Sequence, residues 1–70
     1  MNTITWHTPR KSKVYEYDTA KALWMGVKQF AHEHKNMPWR KDSDIYGQSG
    51  QHTQVWTAGV NTLVIEVNTR

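Results

Sequence analysis

Four histidines, six carboxylates, nine Lys or Arg and eight aromatic rings are the groups in this chain that could do chemistry. Their spacing decides which chemistry is open to them. His32 and His34 stand two apart, about 200° around a helix, so they cannot grip one metal ion together. The zinc-protease helix needs His at i and i+4 with Glu between, which His32-Glu33-His34 does not supply. His7 and His52 add no ligand spacing. With no Cys, thiolate metal sites, Cys nucleophiles and disulfides are excluded. The expectation is therefore no metal and no cofactor.

The carboxylates offer no paired acid and base. Glu16 and Asp18 alternate at a strand end, and Asp42 and Asp44 fall in a polar connection. Gly47-Gln48-Ser49-Gly50 is not the Gly-x-Ser-x-Gly nucleophile elbow, and no Gly-rich phosphate loop of standard spacing occurs. A chain of 70 residues also has little wall for a substrate pocket of about 300–1,000 Å³. No catalytic residues are expected, and the chain is read as a non-enzyme.

What remains is binding. Residues 1–41 hold eight cations against three carboxylates, a surplus of five, whereas residues 42–70 hold one cation against three carboxylates. Arg10, Lys11 and Lys13 share one turn, and Lys35, Arg40 and Lys41 flank Met37-Pro38-Trp39. Trp, Tyr, Met and Arg are enriched at the centres of protein interfaces, and a basic patch speeds association with an acidic partner. The leading expectation is a small non-enzymatic protein that modulates or inhibits a partner macromolecule by protein–protein contact. Its partner-binding residues would be Arg10, Lys11, Lys13, Lys35, Trp39, Arg40 and Lys41. Trp39 has two readings, an exposed anchor or a loop ring folded back to cap the core.

Two alternatives stay open. The basic loops with Trp39 could contact phosphate and stack a base, and Tyr15 and Tyr17 could form a stacking platform. Against this nucleic-acid reading stand the acidic C-terminal part and the lack of RNA-recognition, KH or helix-turn-helix signatures. The third reading is a small structural subunit or homodimer that buries an open sheet face. In size, solubility and lack of catalytic motifs the chain resembles the small accessory proteins that phages and mobile elements use to modify host machinery, a likeness that no residue pattern carries. The target expected from the missing catalytic motifs and the aromatic-plus-basic loop is a host or partner macromolecule.

The elements that must position these groups follow from periodicity. Ile4 and Trp6 alternate with Thr5 and His7, and Val14-Tyr15-Glu16-Tyr17 is β-branched and aromatic, so two strands pair across the basic turn 8–12. Asp18 or Thr19 caps a helix over 19–35, in which Ala20, Leu23, Trp24, Val27, Phe30, Ala31 and His34 form one stripe. Asn36 is expected in the left-handed cap position before Pro38. Gly26 weakens the helix by about 1 kcal/mol relative to Ala, and it either allows close approach of another element or has no role. Residues 36–53 read as a long polar connection, with a short strand conceivable at Ile45-Tyr46. Residues 54–58 and 62–68 form a hairpin across Gly59-Val60-Asn61, with Leu63, Ile65 and Val67 on one face. The order is β-β-α-β-β. It predicts a single α+β domain over 1–70, one amphipathic helix on a mostly antiparallel sheet of about four strands, with Thr, Val and Tyr on the open face. A core this small leaves stability marginal. With no signal-peptide pattern and no apolar run of membrane length, no membrane partner is expected. The cytoplasm of the producing or infected cell is the expected location.

Overall fold

β1 (Asn2–His7) and β2 (Ser12–Tyr17) pair antiparallel across the basic turn, with Ile4 opposite Tyr15 and Trp6 opposite Lys13. The computed structural model describes residues 2–68, so Met1 and the cation of Arg70 lie outside the described residues. After β2 the chain enters α1 (Ala20–Glu33). Thr19, not Asp18, is the N-cap: its backbone is extended and its hydroxyl accepts from the Ala22 N–H at 3.1 Å. β3 (Arg40–Tyr46), a single 3-10 turn (Gln48–Gly50), β4 (Gln51–Ala58) and β5 (Asn61–Asn68) complete the described residues.

The sheet order is β2-β1-β5-β4-β3, with every neighbouring pair antiparallel. This is an α+β architecture with five strands where periodicity predicts about four. The added strand, β3, occupies much of the stretch read as a polar connection. Its pattern hides it, because it is an edge strand with an irregularity between Lys41 and Ser43 that breaks the period of two. Among the described residues no helix is long and apolar enough to cross a membrane.

Directly opposed residues share a face, so the register sorts every side chain. Ile4, Trp6, Leu63, Ile65 and Val67 face α1, and Ile4, Ile65 and Val67 are each 1% exposed. Leu23 drops from the helix into the middle of that set and is fully buried. Trp24, Val27 and Phe30 continue the helix stripe as half-buried packing, whereas Ala31 is exposed. The open face carries Thr3, Thr5, Val14, Thr53, Val55, Thr57, Thr62 and Val64, as the alternation implied. The tyrosines do not belong there. Tyr15 opposes Ile4 and Tyr17 opposes Asn2, which places both on the helix side.

Two helix details depart from the sequence reading. α1 ends at His34, whose N–H donates to the Phe30 carbonyl at 3.0 Å, and Asn36 does not take a left-handed conformation. The His34 ring supplies the missing stop: its Nδ1–H donates to that same carbonyl at 3.0 Å. Of the expected turn residues at 59–61, only Gly59 has positive φ, at 65°, because Asn61 already pairs with Ala58.

Gly26 has a local reason. A Cβ at this position would stand 2.8 Å from Cζ of Tyr17 and closer still to its hydroxyl, so the phenol of β2 lies across the helix backbone. Gly26→Ala should therefore destabilise by about 1–3 kcal/mol through overpacking, although helix propensity alone favours Ala by about 1 kcal/mol. In a Tyr17→Ala background the same change should reverse sign and stabilise. Urea melts of the four proteins of this cycle measure it. A stabilising Gly26→Ala in the Tyr17 protein would mean that the phenol swings clear of the added methyl.

Candidate functional site

The turn between β1 and β2 is closed on itself. Thr8 donates to the Lys11 carbonyl through its N–H at 2.9 Å and its hydroxyl at 2.8 Å, and the Lys11 N–H returns to the Thr8 hydroxyl at 3.1 Å. Pro9 and Arg10 sit at the tip, so the exposed Arg10 and Lys11 start from a fixed backbone. His7 and Ser12, the last pair of the hairpin, share a 2.8 Å hydrogen bond between Nδ1 and Oγ.

The second basic cluster is held by aromatic packing. The Met37 N–H donates to the His34 carbonyl at 3.1 Å, and the Trp39 indole N–H donates to the same carbonyl, also at 3.1 Å. The Trp39 ring lies 5.5 Å from Trp6 and 5.9 Å from Phe30, while His34 stacks on Phe30 at 4.2 Å and lies 5.4 Å from Trp6. Segment 34–39 thus folds onto the end of β1. Of the two readings of Trp39, the geometry matches the ring folded back on the core.

Trp6 brings the two clusters to one end of the molecule. One cross-strand row runs Lys13, Trp6, Leu63, Trp56, Lys41, with a cation at each edge. Four strand spacings separate those edges by about 19 Å. Arg10, Lys11, Lys13, Lys35, Arg40 and Lys41 all lie at this end, with Glu33 and Asp42 as the carboxylates among them. The other end of the sheet carries Glu16 and Glu66 in one row, and Asp18 beside the start of α1, with Lys21. The charge asymmetry between chain halves therefore becomes a charge asymmetry along the strands. It arises because α1 returns the chain to the end at which β1 finishes.

The cations are not equivalent. Lys41 Nζ lies 3.1 Å from the Asp44 carboxylate and 5.5 Å over the Trp56 ring. Asp44 also accepts from the His52 Nε2–H at 2.6 Å, and His52 stacks on Tyr46 at 4.1 Å. The His52 hydrogen bond first, and the Lys41 contact second, hold the Asp44 carboxyl below the usual aspartate range. Lys41 is thus partly committed within the fold. Among the described residues no three His, Asp or Glu side chains converge on one point.

Two hollows flank α1. A groove of about 420 Å³ lies between the helix and the β1–β2 hairpin, lined by Lys11, Lys13, Tyr15, Tyr17, Gln29 and Glu33 around Trp6 and Phe30. A cleft of about 280 Å³ on the other flank is apolar, walled by Trp24, Val27, Trp39 and Trp56. Of the residues singled out from the sequence, Lys11 and Lys13 line the groove and Trp39 walls the cleft, but the sequence reading predicts neither hollow as such. The period of two over 13–17 does place Lys13, Tyr15 and Tyr17 on one face, a signal for the groove. Nothing comparable marks the cleft, whose walls come from α1, the 34–39 segment and β4. Comparison with known proteins gives no matching family model, no matching curated protein and no matching solved structure.

Proposed function

We propose that this chain is a non-enzymatic binding protein that modulates or inhibits a partner protein by presenting its cationic end to an acidic partner surface. The supporting observation is the convergence of Arg10, Lys11, Lys13, Lys35, Arg40 and Lys41, which lie up to thirty-one positions apart in sequence, on one end of the sheet. A field of one sign over a small surface steers an oppositely charged partner and raises its association rate. An accessory protein acting on host machinery fits this mode, since binding alone can block a surface. Within this reading Trp39 contributes by fixing the 34–40 segment that carries Lys35 and Arg40.

The same cations favour nucleic acid as the second reading, and the inward turn of Trp39 weighs against its stacking part. A salt series separates the two. Labelled single- and double-stranded DNA and RNA are titrated with the protein, and affinity-captured partners are compared with and without nuclease. The protein reading expects millimolar or absent nucleic-acid binding and nuclease-resistant capture that Lys35→Glu with Arg40→Glu abolishes. Both side chains are exposed, so this double change should leave stability within about 0.5 kcal/mol. Tight nucleic-acid binding whose salt slope reports roughly four or more phosphate contacts would overturn the protein reading.

A further inference from the structure

We propose that the outer edge of β2 pairs antiparallel with β2 of a second copy of this chain, centred on Val14, to join the two sheets into one. The starting observation is the edge itself. β2 is hydrogen-bonded to β1 on one side, Ser12 to Glu16 are exposed, and Val14 and Tyr15 keep 60% and 41% of their surface. It contains no proline, and its register with β1 runs without a bulge. Edges that must stay single are commonly blunted by proline, bulges or several charges. β3, the opposite edge, shows that protection: its register shifts at Asp42, and Arg40, Lys41, Asp42 and Asp44 crowd it.

Symmetry then fixes the register. Two copies joined through the same strand are related by a two-fold axis, which makes the strands antiparallel and keeps the helix side of one beside the helix side of the other. Opposed residues must share a face, so the axis passes through a residue and not between two. With the axis at Val14, Ser12-Lys13-Val14-Tyr15-Glu16 of β2 meets its own reverse, and the turn residues Arg10 and Lys11 come beside the copy's Asp18 and Tyr17. Val14 packs on the copy's Val14. Lys13 opposes the copy's Tyr15, and Lys11 in the turn lies beside its Tyr17, each a cation beside an aromatic face. Ser12 opposes Glu16, a hydroxyl against a carboxylate, and Arg10 at the tip of the turn reaches Asp18, just past the strand, as an ion pair. Every contact between different residues occurs twice.

Neighbouring registers lack this match. An axis at Lys13 sets Lys13 against Lys13. An axis at Tyr15 keeps Lys13 beside Tyr17 but sets Val14 against Glu16 and moves Arg10 past Asp18 toward α1. The whole molecule agrees with antiparallel pairing in any of these registers, because it lays the cationic end of one copy beside the Glu16 and Asp18 end of the other. The groove under α1, open over β2, would then be walled on its outer side by the copy's Tyr15 and Tyr17. This pairing engages Arg10, Lys11 and Lys13, and leaves Arg40 and Lys41 at the far edge, and Lys35 near the end of β1, for the partner protein. It stands whether or not the partner reading does.

Absence of cysteine makes a direct test possible. Directly opposed strand residues have Cα atoms about 4.5–5.5 Å apart, within disulfide range. Under mild oxidation Val14→Cys should form a covalent dimer at least about tenfold faster than Ile45→Cys, an equally exposed position on the β3 edge. Sedimentation equilibrium of the unmodified chain should show the mass rising from 8.2 kDa toward twice that value with concentration. Arg10→Asp and Asp18→Arg should each weaken association by about tenfold, and combining both in one chain should restore it. Circular dichroism confirms that each variant is folded. An 8.2 kDa monomer up to millimolar concentration, with equal cross-linking at 14 and 45, overturns the proposal. So does a dimer that neither charge change weakens, or one that their combination fails to restore. Either result leaves the Lys35 and Arg40 test of partner binding unaffected.

Discussion

Leu23→Ala should remove about 2–5 kcal/mol of folding stability, the largest loss expected from any single truncation in α1. A chain of 70 residues holds only about 3.5–10 kcal/mol in total, so a substantial unfolded population is expected at physiological temperature. The reason is placement. Leu23 is 0% exposed and lies against Ile4, Leu63, Ile65 and Val67, the buried residues of the two central strands. Its removal leaves a cavity that those strands cannot close, because their positions are fixed by hydrogen bonds on both sides. Met25, two residues on, is 62% exposed and serves as the control: Met25→Ala should change stability by no more than about 0.5 kcal/mol. With a urea slope near 1 kcal/mol/M for a domain this small, the Leu23 change should lower the midpoint by about 2 M or more. Equal midpoints for the two variants would mean that α1 does not insert Leu23 into the sheet.

That core was legible before the fold. The 3.6-residue stripe gave α1 to within two residues at each end, and the alternation of Leu63, Ile65 and Val67 gave the inner face of β5. Both signals are local and come from residues that are actually buried. β3 failed for the converse reason. One of its edges is open and its register is broken at Asp42, so Arg-Lys-Asp-Ser-Asp carries neither apolar alternation nor β-branching. The facing of Tyr15 and Tyr17 was half-legible. Period two puts them together, but only the pairing of Ile4 with Tyr15 says which face they share.

The candidate site divides the same way. Each basic cluster could be read from the sequence, and their meeting could not. It depends on the length of α1, which spans the sheet once and returns the chain to Trp6. The asymmetry of charge was visible only as a difference between chain halves. The strand register turned it into a cationic end and a carboxylate end. That step matters for function, since steering depends on where charges lie in space and not on their order in the chain.

Trp39→Ala should lower stability by about 3 kcal/mol, the lower end of the range for truncating a packed Trp, because its ring is half-buried. Three contacts are lost at once: the ring faces toward Trp6 and Phe30 and the indole donation to the His34 carbonyl. Aromatic pairs of this kind contribute about 0.5–1.5 kcal/mol beyond area burial, and a hydrogen bond of this kind about 0.5–1.5 kcal/mol net. Trp39→Phe retains most of the ring packing and loses the donor, so about 1 kcal/mol is expected. The His34 carbonyl still accepts from the Met37 N–H, which limits the penalty for leaving it half-served. If the ring caps the core, thermal melts rank the unmodified protein first, Trp39→Phe second and Trp39→Ala last. Capture of the partner below the melting temperature then separates capping from anchoring. Binding that persists in a destabilised Trp39→Ala assigns the ring to holding Lys35 and Arg40 in place. Unchanged stability with lost capture would assign it to the interface itself, and would contradict the packing against Trp6.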